Sequence, residues 1–165
     1  MGQYDDALSD IDDAKDLIGN ANPEPFLLAG QINYAQEKFE KGRSQFDLAK
    51  QISGDSIESH RGIAEYFLKT EQFLDALRQY DKISKQFPDD AATHSAIAQA
   101  YIGQGEHRRA LESFENAANL YASKGEIVPE DMLFEAIDLA ESEGFLTYAT
   151  AFHARHLLHL SLIHI

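Results

Sequence analysis

Cysteine is absent from the chain, so no disulfide staples the fold and no thiolate serves as nucleophile or metal ligand. Cations are scarce: 14 Lys and Arg stand against 28 Asp and Glu, a formal net charge of −14 at pH 7. That balance argues against the nucleic-acid backbone or an anionic membrane as the main ligand. It weakly favours basic partners, and its commoner meaning is a solvated acidic surface. No apolar run is long enough to span a membrane as a helix. An acidic segment follows Met1 where a signal peptide would be basic and then apolar. Asp6 stands where a myristoylation signal wants serine or threonine. The expectation is therefore a cytoplasmic protein with no membrane insertion and no nucleic-acid partner.

Catalytic signatures are missing too. There is no phosphate-cradling glycine loop, no nucleophile elbow, no kinase-type motif and no HExxH. Carboxylates are abundant, but none is read as isolated in an apolar setting that would raise its pKa for acid–base work. Asp5, Asp6, Asp10, Asp12, Asp13 and Asp16 crowd one short stretch. A calcium loop needs alternating ligands with a central glycine and a closing glutamate, and Ala14 breaks that order. These aspartates read as the solvent face of an amphipathic helix. His153, His156 and His159 are spaced three apart with His164 beyond. Helical neighbours at that spacing can share a metal, but a zinc site would still need a carboxylate or a further histidine and an ordered second shell. No enzyme activity, metal or cofactor is expected.

What is present is a helical period. Ile63, Ala64, Phe67 and Leu68 fall on one face of a helix, and Ala76, Leu77, Tyr80 and Ile83 on one face of the next. Neither stripe can be buried by its own helix. A forward shift of about 34 residues, a spacing found in one class of helical repeat, carries Ile63, Ala64 and Phe67 onto Ile97, Ala98 and Tyr101. It also carries Ala76, Leu77 and Tyr80 onto Ala110, Leu111 and Phe114. The same shift backward carries Ala64 onto Gly30, Phe73 onto Phe39 and Tyr80 onto Phe46. Small positions stay small and large ones stay large.

Ala64, Phe67, Ala76, Tyr80 and Pro88 together resemble the tetratricopeptide repeat. Ala98, Tyr101, Ala110, Phe114 and Ala117 repeat the pattern without its closing proline. Gly30, Phe39, Phe46 and Ala49 give a fainter copy, in which Gly42 replaces the second-helix alanine and Asn33 the first aromatic. The tryptophan usual near the start of each unit is absent, and Phe26, His60 and His94 stand there instead. The resemblance fades beyond Gly125. It implies an all-α fold, a right-handed α-solenoid of antiparallel helix hairpins forming one domain over 1–165. The expected divisions are a lone second helix over 3–20, units over 22–54, 56–88 and 90–124, and a degenerate unit over 129–160. Gly19 is its expected first helix stop, and the apolar stripe of that helix is Tyr4, Ala7, Leu8, Ile11, Ala14 and Leu17.

The half-unit at the start and the absence of a polar cap at either end lead to the expectation of a fragment of a longer array. The last six residues, 160–165, resemble a translated adapter tail and are expected to be non-native.

The resemblance also implies a function: a non-catalytic protein–protein interaction scaffold that takes a peptide or helix in a concave groove lined by first helices. By position the groove holds Leu27, Gln31 and Tyr34 from the first unit. The second unit contributes Arg61, Glu65, Leu68 and Lys69, and the third Ser95, Gln99 and Ile102. This mixed lining suits an extended peptide or an amphipathic helix. The lysine and asparagine clamp that chaperone-binding members use on a C-terminal carboxylate has Leu27, Gln31, Gly62, Ala92 and Ala96 in its place. Two alternatives stand beside this reading. One is a structural module that self-associates through uncapped ends, and the other a regulatory region of a larger multidomain protein.

Overall fold

The computed structural model describes residues 2–18, 21–54 and 56–163. Among them there are nine helices and no strand. The helices gather into two compact units, 1–70 and 71–165.

The first unit holds α1 (Gly2–Ile18), α2 (Glu24–Ala35), α3 (Phe39–Ile52) and α4 (Ile57–Lys69). Asn22 accepts the Glu24 amide at 3.0 Å and Pro23 precedes the first turn of α2, so proline's missing N–H costs nothing there. Ser56 caps α4 by accepting the Ser59 amide. The core is aromatic. Tyr34 stacks on Phe46, with ring centroids 5.4 Å apart, and meets Phe67 edge-on at 5.2 Å.

Two glycines make this core close. A Cβ on Gly30 would lie 2.4 Å from the Phe46 ring, and one on Gly42 would lie 2.3 Å from the Tyr34 ring. Each ring sits in the notch left by a missing side chain, which is why glycine stands where the other helix-hairpin repeats have alanine. Asn33 does not carry the aromatic role; it is buried and its side-chain amide donates to the Ala29 carbonyl at 2.7 Å. Tyr34, one residue on, supplies the ring. In α1 the expected apolar stripe is only partly covered: Ile11 is buried, whereas Tyr4 and Leu17 are exposed. The Gly19 stop lies outside the described residues.

The second unit holds α5 (Phe73–Gln86), α6 (Ala91–Gly103), α7 (His107–Ser123), α8 (Glu130–Ser142) and α9 (Leu146–Ile163). Its core is built from alanines and large residues in alternation. Ala98, Ala110, Ala117, Ala136 and Ala140 let helices approach, and Phe114, Leu111, Leu133 and Phe152 fill the space between them. Asp90 sits at the N-cap of α6 but spends its carboxylate on the Thr93 hydroxyl rather than on a backbone amide. Gly103 is the last residue of α6, and the Phe73 ring lies where its Cβ would be. α7 runs on to Ser123, and residues 126–129, outside any helix, lead into α8. Leu160–Ile163 continue α9; 164–165 lie outside the described residues.

One backbone position recurs across both units. Glu37, Glu71, Gly105 and Gly144 each follow a first helix and each adopt a left-handed conformation, φ 60, 60, 72 and 73°. At Glu37 the next amide, Lys38 N–H, donates to the Asn33 carbonyl at 2.8 Å. At Gly105 and Gly144 the corresponding amides, Glu106 and Phe145, reach Tyr101 and Ala140. This is the αL closure of a helix C-terminus, met by glycine in two turns and by glutamate in two.

Candidate functional site

In the first unit α2 and α4 lie side by side. A Cβ on Gly62 would stand 3.7 Å from Leu27 Cδ1, so the Leu27 side chain covers the start of α4. Leu27, Gln31, Arg61 and Leu68 are half-buried, and Glu65 and Lys69 are exposed. Tyr34 is different. It is 8 % exposed and ringed by Phe39, Phe46, Tyr66 and Phe67. Its ring belongs to the core of the unit rather than to an open groove surface, because Gly42 draws it inward.

In the second unit Ser95 and Ile102 are half-buried on α6 and Gln99 is exposed. The Gln99 amide hydrogen-bonds the carboxylate of Glu135 on α8. Glu135 is half-buried, and nothing in the sequence pattern singles it out. Burial pushes its pKa up and Asp131 adds to the rise, while the Gln99 hydrogen bond opposes both. The only signal in the sequence was helical phase, which does not say how deep a given glutamate lies.

The sign of the consequence follows from linkage. The folded state holds the Glu135 proton to higher pH than the unfolded chain does. Stability therefore falls as pH rises from the ordinary carboxylate range through the raised folded value. Glu135→Gln, which keeps an acceptor for Gln99, is expected to melt higher than the parent at pH 7, with the difference vanishing in acid. Thermal melts across that range check this, and equal melting at every pH would contradict it.

The histidines of α9 separate rather than converge. His153 Nε2 meets Glu141 at 2.8 Å and His156 Nε2 meets Glu130 at 3.3 Å, two different carboxylates on α8. The side chains of His159 and His164 lie outside the described residues. Among the described residues no cluster of three metal-binding side chains occurs, and no helix is long and apolar enough to cross a membrane.

No known family profile matches the chain's sequence. Solved structures do resemble it. A double mutant of MamA from RS-1 superposes with TM-score 0.67 at 17% identity, over 97% of this chain and 86% of that one. MamA from residue 41 to its end, from Desulfovibrio magneticus RS-1, gives TM-score 0.65 at 16% identity, over 99% and 87%. Yeast Tom70 gives 0.59 at 18% identity, over 82% of this chain and 31% of its own length. These are tetratricopeptide-type helical-repeat proteins. The helix hairpins, the small-residue notches with rings seated in them, and these likenesses agree: the chain has the fold of a tetratricopeptide-type repeat array.

Proposed function

We propose that the chain is a non-catalytic protein-binding scaffold, and that it takes a peptide or helical segment of a partner on its first-helix faces. The observation that carries this reading is the surface shared by α2 and α4. Leu27 and Leu68 offer half-buried apolar area, and Gln31, Arg61, Glu65 and Lys69 offer hydrogen bonds and both signs of charge. Such a lining suits a segment held by shallow apolar contacts and read by polar ones. In the second unit Ser95, Gln99 and Ile102 serve the same purpose, with Glu135 added through its bond to Gln99. The chain acts where its partner is, in the cytoplasm, and the scaffold is one part of a larger assembly or multidomain protein.

The test is selection from a displayed random peptide library, with titration of the selected peptides against the parent chain and against Arg61→Ala, Glu65→Ala and Gln99→Ala. Few residues dominate an interface, so at least one variant is expected to weaken binding about tenfold, or about 1.4 kcal/mol. A peptide ending in an acidic carboxylate motif is expected to bind no tighter than a scrambled one, because Leu27, Gly62, Ala92 and Ala96 offer it no cation. Selected peptides that bind all three variants like the parent would move the site off these faces.

A further inference from the structure

Beyond the groove, the second unit carries a cleft of about 280 Å³ between the end of α7, the segment leading into α8, and α9. Its walls are apolar, among them Ala118, Ala122, Ile127, Val128 and Leu158, and its charged members are Arg155 and Glu126. Ile127 and Leu158 are exposed, 59% and 65%, at the mouth. The Arg155 guanidinium is fixed in place: it donates to Asn119 Oδ1 at 2.7 Å and lies 5.8 Å from the Phe152 ring centre. Among the described residues no carboxylate pairs with it. The cleft is too small for a typical cofactor or drug-sized ligand. Its size suits one or two side chains.

The first unit carries a matching projection. Leu17 on α1 is 87% exposed, the most open large apolar residue described. Asp13 lies one helical turn before it on the same face, and Asp10 one turn before that. Neither aspartate has an ion-pair partner among the described residues. The two helices that carry the pairing groups, α1 and α9, also differ in charge. The described part of α1 has six aspartates and one lysine, whereas α9 has no acidic residue and carries Arg155 with histidines beside it.

We propose that Leu17 of one copy seats in the Ile127–Leu158 cleft of a second copy, with Asp13 paired to Arg155, so that chains join head to tail. The two patches differ, so the contact is heterologous, and each added copy leaves one projection and one cleft for the next. The interaction leans on an exposed ion pair, and salt weakens it.

The experiment uses the 165-residue chain in sedimentation velocity over a wide concentration range, at low and at high salt. The parent is expected to gain mass with concentration, less so at high salt. Leu17→Asp blocks the projection and Ile127→Asp blocks the cleft; both sites are exposed, so both variants fold, as far-UV circular dichroism will verify. Each alone is expected to remain monomeric. Mixed in equal amounts they are expected to form a dimer and nothing larger, because each supplies the feature the other lacks. Arg155→Glu, in place of Ile127→Asp, is expected to behave alike. A parent that stays monomeric at low salt overturns the proposal. So do variants that assemble alone, or a mixture that yields no dimer.

Discussion

Phe114→Ala is expected to cost the second unit about 3–5 kcal/mol, the range for truncating a buried phenylalanine. Phe114 is fully buried, 0% exposed, in a cluster with Ala98, Ala110, Ala117 and Leu133. The size of the loss follows from those alanines. A hole is refilled when long neighbouring side chains swing into it, and alanine has nothing to swing. Its helices would have to slide instead, and each is held by further contacts with Leu111 and Phe152. Small proteins are stable by about 5–15 kcal/mol in total, so the loss is a large part of the whole. Urea unfolding followed by circular dichroism measures it. A cost below about 1 kcal/mol, typical of exposed positions, would mean that the site collapses freely and that the tight packing is not there.

The second large effect is one of sign. Glycine inside an exposed helix is worse than alanine by about 1 kcal/mol, so Gly→Ala normally stabilises. At Gly62 on α4 the nearest atom to a new Cβ is 3.7 Å away, and Gly62→Ala is expected to gain most of that amount. At Gly42 on α3 the new Cβ would sit 2.3 Å from Tyr34 Cδ2, 2.7 Å from Cε2 and 3.0 Å from the Gly30 carbonyl oxygen. The tyrosine cannot retreat, because Phe39, Phe46, Tyr66 and Phe67 surround its ring at centroid distances of 5.5, 5.4, 5.7 and 5.2 Å. Gly42→Ala is expected to lose about 1–3 kcal/mol by overpacking. The same chemical change thus moves stability in opposite directions on two helices of one unit. Paired unfolding curves decide it, and a gain at both glycines would show that α2 and α3 are not in close approach.

These two contrasts also show what could be read from the residues alone. The alternation of Ala76 and Tyr80, and of Ala110 and Phe114, was legible because small and large positions recur at a fixed spacing, and all four are buried. The first unit was harder. Its ring comes from Tyr34 rather than from the position Asn33 occupies, and that one-residue shift is possible only because Gly42 opens space for it. A spacing rule counts positions and does not see the notch. For the same reason a positional match alone puts Tyr34 on a groove surface. The half-burial of Glu135 and its hydrogen bond to Gln99 on a different helix are tertiary features, and no pattern within α8 encodes them. The exposure of Leu17 was hidden by periodicity itself. Leu17 continues the i+3 steps from buried Ile11, but two such steps turn about 120° around the helix, onto the exposed face that carries Asp13 and Asp10.

The left-handed turn residue after each first helix has a practical meaning for engineering. Glu37, Glu71 and Gly105 hold the same φ region while their side chains differ, so what recurs there is a backbone joint and not an amino acid. A joint of fixed geometry is a place to cut and splice. Segments 38–71 and 72–105 end on matching backbone joints, which makes each a natural unit for duplication, although exchanging them would put Ala76 where Gly42 now receives the Tyr34 ring. Glycine or asparagine at the joint is the natural choice of ligation residue.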